Sequence, residues 1–159
     1  MGRQTALVKV SGDLCERPLV LEWIRKLTAE YFTVIVVGGG TQINEAFQKA
    51  GFKIKKHGPL GRETESLKES QIARDTLEEN QERVQDLLAS RGVMASVVIP
   101  VLEIGTVLCH INGDVFILTA HNGFDKIFVL TYEIRVKEKR RVFKKYPKIE
   151  VVGFPGDQV

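Results

Sequence analysis

Three consecutive glycines, at positions 38 to 40, stand directly between a short β-branched apolar run and an amphipathic helical pattern. The run, 32–37, has the length and composition of a buried parallel strand. An earlier apolar run, 6–10, is followed by a helical pattern that begins at Pro18, a residue suited to the first turn of a helix. Together these segments predict a βαβα unit with parallel strands and a right-handed crossover.

The rest of the chain continues this alternation of strands and helices. Ser66 and Glu69 form a capping-box pattern that predicts a long polar helix ending before Gly92. Its narrow apolar seam is typical either of a subunit interface or of a helix lying across a sheet edge. With no internal repeat or linker, residues 1–159 are expected to form one α/β domain, a three-layer αβα sandwich around a mostly parallel sheet. Further strands are predicted over 95–102, 106–111, 126–131 and, at an edge, 148–152.

Composition excludes several classes of protein. A hydrophobic fraction of 43% with 27% charged residues is ordinary for a globular chain and argues against disorder. No apolar run approaches the roughly 18–20 residues that would span a bilayer, and the N-terminus has no signal-peptide pattern. Two cysteines are too few for a disulfide framework, so reduced thiols, a cytoplasmic location and no membrane partner are expected.

A basic segment over 135–148 contains eight of the 23 lysines and arginines and only one acidic residue, Glu138. Three interpretations of it remain open: a solvated face or tail, a contact with a nucleotide or phosphate, and a nucleic-acid surface. Nucleic acid is the least favoured partner, because only Phe143 and Tyr146 offer aromatic rings there for base stacking.

The glycine turn is the strongest functional signal in the sequence. Consecutive glycines allow backbone N–H groups to approach an anion, and the N-terminus of the next helix adds partial positive charge. Packing could require one glycine there, but three are more than packing needs. Thr41 is expected to cap that helix. Two common phosphate motifs are excluded, because Ile43 occupies the third-glycine position of a dinucleotide fingerprint and no Lys-Ser/Thr follows Gly40.

Lys9 lies within the first strand, which is otherwise apolar. A lysine there either reaches the surface or points out of the carboxyl end of the strand, where ligands collect in open α/β sheets. The βαβ unit makes the first two strands neighbours. In the second interpretation, Lys9 and the glycine turn form a phosphate clamp.

Other polar clusters are less informative. Cys109, His110 and Asp114 are close in sequence, but successive strand residues point to opposite faces, so no metal site is expected. His57 and His121 are interpreted as surface or capping residues. No Ser-His-Asp order with a nucleophile elbow is present.

Six short stretches occur in one order along about residues 6–154. They read KVSGD (9–13), VVGGGTQINE (36–45), LGRETE (60–65), NQERV (80–84), HINGD (110–114) and FKKYPKI (143–149). They resemble the amino acid kinase family, of the aspartate, glutamate and uridylate kinase type, and within it acetylglutamate kinases most closely. The glycine stretch is the specific motif among them.

The resemblance implies phosphoryl transfer from ATP, with Mg²⁺, to a small anionic metabolite that carries a carboxylate or phosphate. Lys9 would stabilise the transferring group and Asp114 would hold that lysine in place, although Asp114 also suits the start of a helix. Phosphate binding would fall to Gly12, Gly38, Gly39, Gly40 and Thr41. The substrate would contact Arg62, Asn80, His110 and Asn112, and the nucleotide would contact Thr131 and Lys144.

Two departures from the family open a second class of function. His110 replaces an asparagine of acetylglutamate kinases, and the family's second lysine and much of its adenine pocket would fall beyond Val159. The expected fold therefore lacks much of the nucleotide-binding half. The alternative is a catalytically inactive member in which the glycine turn binds an anion or metabolite for regulation. A homodimer is expected in either case.

Overall fold

Five parallel strands form the central sheet in the computed structural model, which describes residues 2–156. Helices cover both faces of this sheet, as predicted for a three-layer α/β architecture. In chain order the elements are β1 (Thr5–Ser11), α1 (Gly12–Cys15), α2 (Pro18–Glu30), β2 (Phe32–Gly38), α3 (Gly40–Lys49), β3 (His57–Gly58), β4 (Gly61–Arg62), α4 (Leu67–Ser90), β5 (Ala95–Val98), β6 (Val101–Ile104), β7 (Val107–His110), α5 (Gly113–Thr119), β8 (Lys126–Tyr132), α6 (Val136–Val142) and β9 (Ile149–Phe154).

The strand order in the sheet is β5-β2-β1-β8-β9. The chain moves outward from the central β1 through β2 to β5, then returns to the other side of β1 for β8 and β9. In the register, Lys9 of β1 lies between Val36 of β2 and Val129 of β8. A reversal of this kind opens a crevice at the carboxyl ends of the strands, next to β1.

Alternation along β1 assigns its side chains to two different layers. Ala6, Val8 and Val10 face the core that α2 and the second half of α4 cover. Leu7 faces the opposite layer, which α5 and α6 supply through Ile117 and Phe143. Because strand side chains alternate, Lys9 shares the face of Leu7 and therefore points toward α5 and α6.

The helix α4 confirms the predicted capping box. Ser66 Oγ accepts a hydrogen bond from the Glu69 N–H at 3.2 Å, and Glu69 Oε2 accepts one from the Ser66 N–H at 2.9 Å. The helix is followed by Gly92 in a left-handed conformation, with φ +67°.

The apolar seam of α4 packs within the chain. Ala73 and Leu77 contact α3 through Ile43 and Phe47, and Val84 and Leu88 join the main core. The same helix lies along the outer edge of β5, where Gln81 and Gln85 hydrogen-bond its backbone. The sheet-edge interpretation of the seam is therefore the one the structure supports.

Two segments differ from the sequence-based expectation. The strand predicted over 95–102 is divided, and β6 pairs antiparallel with β7 in a separate hairpin that turns at Gly105. Pro100 lies at the division and has no N–H to donate to a sheet ladder, which explains why the chain leaves the central sheet there.

The basic segment contains α6. The edge strand predicted over 148–152 is present as β9. None of the helices within residues 2–156 has the length and apolar character needed to cross a membrane.

Candidate functional site

A cavity of about 480 Å³ lies at the carboxyl ends of β1, β2 and β8, where the strand order reverses. This volume falls within the usual range for a small-molecule site. Its wall consists of Lys9 and Ser11 from β1, the glycine turn after β2, and Thr131 and Tyr132 from β8. The β3–β4 hairpin and the segment from His110 to Gly113 close the opposite side.

An acidic residue joins two lysines that line this cavity. Asp114 Oδ1 lies 3.1 Å from Lys9 Nζ, and Asp114 Oδ2 lies 2.5 Å from Lys139 Nζ. All three side chains are largely buried, with 18% of Lys9, 14% of Asp114 and 8% of Lys139 exposed. They meet because Lys9 points toward the layer that α5 and α6 form. We refer to Lys9, Asp114 and Lys139 as the lysine bridge.

The electrostatics of the lysine bridge leave it with excess positive charge. Burial lowers the pKa of Lys9, and the neighbouring Lys139 and Arg135 act in the same direction while Asp114 opposes them. Burial alone would raise the pKa of Asp114, but Lys9 and Lys139 together hold that pKa below its ordinary value. Asp114 is therefore a carboxylate shared by two cationic partners, and the bridge as a whole favours an anion in the cavity.

Gly113 gives Lys9 the room it needs to reach Asp114. A Cβ built on Gly113 would lie 2.8 Å from Lys9 Cε, closer than side-chain contacts allow. Asn112 caps α5 just before it, since Asn112 Oδ1 accepts a hydrogen bond from the Asp114 N–H at 2.7 Å. The glycine and the cap together fix where the Asp114 carboxylate meets Lys9.

In the glycine turn, Gly39 is required by packing, whereas Gly38 and Gly40 have space beside their backbone. Gly39 is the N-cap residue of α3, and a Cβ there would lie 2.9 Å from Asn80 Nδ2, so packing accounts for this glycine. Gly40 has open space where its Cβ would be, and the nearest atom to a Cβ on Gly38 is at 3.9 Å. All three residues line the cavity. The first N–H groups of α3 lack partners within the helix, as at every helix N-terminus, and are suited to an anion.

Thr41 does not cap α3, contrary to the expectation from its sequence position. The helix already begins at Gly40, and the N-cap position belongs to Gly39, which has no side chain to accept a hydrogen bond. Thr41 is an exposed residue of the first turn that lines the cavity beside Gly40.

Arg62 supplies a second cationic group on the hairpin side of the cavity. Only 8% of the residue is exposed. One terminal nitrogen donates to Asn44 Oδ1 at 2.7 Å and to the Gly40 carbonyl at 3.4 Å, and the guanidinium lies 5.2 Å from the centre of the Phe47 ring. Within the described part of the chain, its Nε and other terminal nitrogen have no hydrogen-bond partner. Burial lowers the pKa of Arg62, yet a guanidinium stays protonated in proteins, so this buried cation still has donors to offer.

The three remaining polar residues on this side differ in their contacts. His110 Nε2 lies 3.1 Å from the Arg62 carbonyl and so holds the hairpin, while Asn112 is occupied as the cap of α5. His57, interpreted from sequence as a surface residue, lines the cavity although it is exposed. Burial, followed by the charge of Arg62, lowers its pKa and favours the neutral ring.

Four residues implicated by the sequence resemblance lie outside the cavity wall: Asp114, which the two lysines of the bridge contact, and Gly12, Asn80 and Lys144. Gly12 is buried behind it, where a Cβ would come within 3.2 Å of Asn80 Nδ2. Asn80 donates to the Gly38 carbonyl at 3.3 Å and so supports the glycine turn from behind. Lys144 is exposed and lines shallow grooves on the outer surface with Arg140. Thr131, in contrast, is buried in the wall itself.

Sequence reasoning missed the role of Lys139 and the proximity of Arg135, which also lines the cavity. The available signal was helical spacing: Val136, Lys139 and Phe143 recur at intervals of three and four, which places the lysine on the inner face of α6 between two apolar residues.

Among residues 2–156, no three His, Cys, Asp or Glu side chains are grouped so that they could hold a metal ion. Asp13 contributes an exposed carboxylate to the cavity wall. No protein-family model matches the chain, and no curated protein matches it at a significant level.

Proposed function

We propose that this protein is a small-molecule kinase that transfers a phosphoryl group from ATP to a small carboxylate or phosphate substrate. The observation that carries the proposal is the lysine bridge, whose two lysines line the same cavity as the glycine turn. The resemblance of the HINGD and VVGGGTQINE stretches to the amino acid kinase family supports the same assignment.

Phosphoryl transfer depends on positioning and on stabilising negative charge that spreads over the transferring group. Lys9 and Lys139 supply two ammonium groups to stabilise that charge. The Asp114 carboxylate contacts both groups and so keeps them close together. The N–H groups at the start of α3 add fixed dipoles that need no reorganisation during the reaction. We therefore assign charge stabilisation to the two lysines, and their positioning to Asp114, which contacts both.

Lys139 also answers a difficulty raised by the sequence. The resemblance assigns a second lysine to a segment that would fall beyond Val159. In this chain, a second ammonium group comes from α6, within the basic segment, and reaches the same carboxylate as Lys9. We therefore assign the second cationic contact with the phosphates to Lys139.

Arg62 supports a small acid as the acceptor. Its two unpartnered nitrogens are donors next to the cavity, and a buried cation of this kind is satisfied by an anionic oxygen. A guanidinium matches the geometry of a carboxylate or phosphate. The acceptor would then lie between Arg62 and the lysine bridge, with its reacting oxygen toward the glycine turn.

Mg²⁺ fits this site as a partner of the ATP phosphates. Magnesium usually keeps several waters and takes only one or two carboxylates besides the phosphates, so a single wall carboxylate is sufficient. Asp13, fixed by a hydrogen bond from Gln42 Nε2 at 2.8 Å, is the residue that would hold it. The ion would neutralise charge on the phosphates that the lysines do not reach.

The experiment measures ADP formation from ATP and Mg²⁺ with a panel of small carboxylates and phosphates. We compare wild type with Lys139→Met and with Lys144→Met, a matched change of an exposed lysine in the same basic segment. Loss of Lys139 should lower kcat by about 10²–10³-fold, the usual effect of removing one charge-stabilising donor. The Lys144→Met protein should retain wild-type activity within about twofold, as a surface change should.

The alternative outcomes identify what failed. If no acid is phosphorylated, yet phosphate raises the melting temperature of wild type and not of Lys139→Met, the protein is a catalytically inactive anion-binding member and the kinase proposal is wrong. If neither ATP nor phosphate shifts the melting temperature, the anion site itself is refuted. Binding of an oligonucleotide that survives Lys139→Met and falls steeply with salt would identify a nucleic-acid surface instead.

A further inference from the structure

A second cavity, of about 420 Å³, adjoins the one described above. Asp13 and Tyr132 line both cavities and form the wall between them. The second cavity lies where α2 begins and where β9 ends. Its other lining residues are Glu16, Arg17, Pro18, Leu19, Val20, Phe154 and Pro155.

The chemistry of this second cavity differs from that of the first. Leu19, with 62% of its surface exposed, offers an apolar side chain, and Pro18 and Pro155 add flat apolar faces. The Arg17 guanidinium lies 5.3 Å from the centre of the Tyr132 ring, and its NH1 donates to the Pro155 carbonyl at 3.0 Å. These contacts hold the planar guanidinium near the aromatic ring. Glu16 is paired with Arg83, which offsets its charge.

We infer that the second cavity holds the base and sugar of the phosphoryl-donor nucleotide, whose phosphates occupy the first. This inference rests on the proposed function, because it requires a nucleoside triphosphate as the donor. A nucleotide has a strongly anionic end and a flat, weakly polar end. The two adjoining cavities meet at Asp13 and Tyr132: the first carries the cationic groups, and the second combines apolar side chains with polar ones, as a surface for a base and a sugar would.

The order of groups across the shared wall agrees with the order along a nucleotide. Asp13 stands between the two cavities, at the position where a metal-bound polyphosphate would pass from the nucleoside to the lysine bridge. The apolar contacts lie beyond it, on α2 and at the end of β9. The nucleoside site is thus supplied by residues 16–20 and 154–155, together with Tyr132.

The test compares ATP with inorganic triphosphate, each with Mg²⁺, by isothermal titration calorimetry. Wild type should bind ATP at least about tenfold more tightly than triphosphate, because only ATP has a nucleoside that can fill the second cavity. Leu19→Gln should weaken ATP binding by about tenfold and change triphosphate affinity by less than about twofold. Glutamine is a good helix former and Leu19 is exposed, so melting temperature should confirm an intact fold.

Met94→Gln is the matched control. Met94 is also exposed, at 83%, but it precedes β5 at the opposite ends of the strands. This variant should bind both ligands as wild type does. A general loss of affinity in both variants would overturn the inference, because it would not depend on the second cavity.

Three results separate this inference from the proposed function. Equal affinity of wild type for ATP and triphosphate would show that no nucleoside binds in the second cavity, while the anion site stands. A preference for ATP that Leu19→Gln leaves intact would place the nucleoside elsewhere and overturn the inference. If neither ligand binds, the inference fails together with the proposed function.

Discussion

Replacing Gly113 with alanine tests the position of the Lys9 ammonium without changing any charge. The added Cβ would lie 2.8 Å from Lys9 Cε and 3.7 Å from its Cγ. Since both contacts are with one flexible side chain, Lys9 can move aside at little cost to the fold. Its ammonium would then leave Asp114 and withdraw from the cavity.

The expected magnitude follows from the loss of the hydrogen bond that the Lys9 ammonium would donate to a bound anion. A hydrogen bond involving a charged group contributes about 1.5–3 kcal/mol, so the affinity for sulfate or phosphate should fall by roughly 10- to 100-fold. Stability should change little. Alanine is favoured over glycine within helices by up to about 1 kcal/mol, which opposes the cost of displacing Lys9 from its ion pair.

The assay pairs calorimetric titration with sulfate and urea denaturation. Gly123→Ala is the matched control, because a Cβ there meets nothing within 4 Å, and it should match wild type in both measurements. Unchanged sulfate affinity in Gly113→Ala would refute the argument that Lys9 binds anions from its present position. If sulfate affinity falls equally in Gly113→Ala and Gly123→Ala, the cause is a general disturbance of the fold and not the displacement of Lys9.

Two further predictions concern ionisation. Sulfate affinity should decline as pH rises through the lowered pKa of Lys9, below the ordinary 10.5, because only the charged ammonium attracts the anion. Titrations at increasing pH below 10.5 should show this decline in wild type but not in Lys9→Arg, which stays charged; a flat wild-type profile would contradict it. Burial raises the pKa of Cys15 from 9.0 to about 11, against the opposing effect of Arg83. The folded thiol therefore keeps its proton while the unfolded one loses it, and the free energy of unfolding should decrease as pH rises above 9.0. Iodoacetamide should also label native Cys15 far more slowly than the less buried Cys109, as followed by mass spectrometry, and equal rates would be incompatible with the burial of Cys15.

Most of the secondary structure that was predicted correctly depends on residues that are close together in the sequence. The capping box at Ser66 and the glycine after α4 depend on neighbouring residues, so their geometry follows directly from sequence. The strands β1, β2 and β8 are continuous apolar runs, as buried parallel strands require. Where the prediction was wrong, a competing local rule decided the outcome, as when Gly39 instead of Thr41 became the N-cap residue of α3.

The candidate site was predictable only in part, because it depends on distant pairs. The proximity of Lys9 to the glycine turn follows from the βαβ unit and the parallel pairing of β1 with β2. The burial of Lys139 could not be predicted from a local pattern. It requires a carboxylate 25 residues earlier in the chain, Asp114, to compensate for the desolvation of the ammonium group. In a run of basic residues, charge pattern alone favours a solvated face. The wall between the two cavities likewise joins Asp13 with Tyr132, which no local pattern relates.

Gln81 and Gln85 of α4 limit how copies of this protein can associate. Strand β5 ends the sheet, yet the Val97 N–H and the Ala95 and Val97 carbonyls on its outer side are already bonded to Gln81 and Gln85 at 2.8–3.1 Å. A neighbouring molecule therefore finds no vacant backbone groups at these positions with which to extend the sheet. The amide side chains of Gln81 and Gln85 thus take the hydrogen-bonding place of a neighbouring strand, and they offer no backbone edge to which a further strand could pair. If the expected homodimer forms, which sizing chromatography would show, it cannot be a sheet continued through these backbone groups.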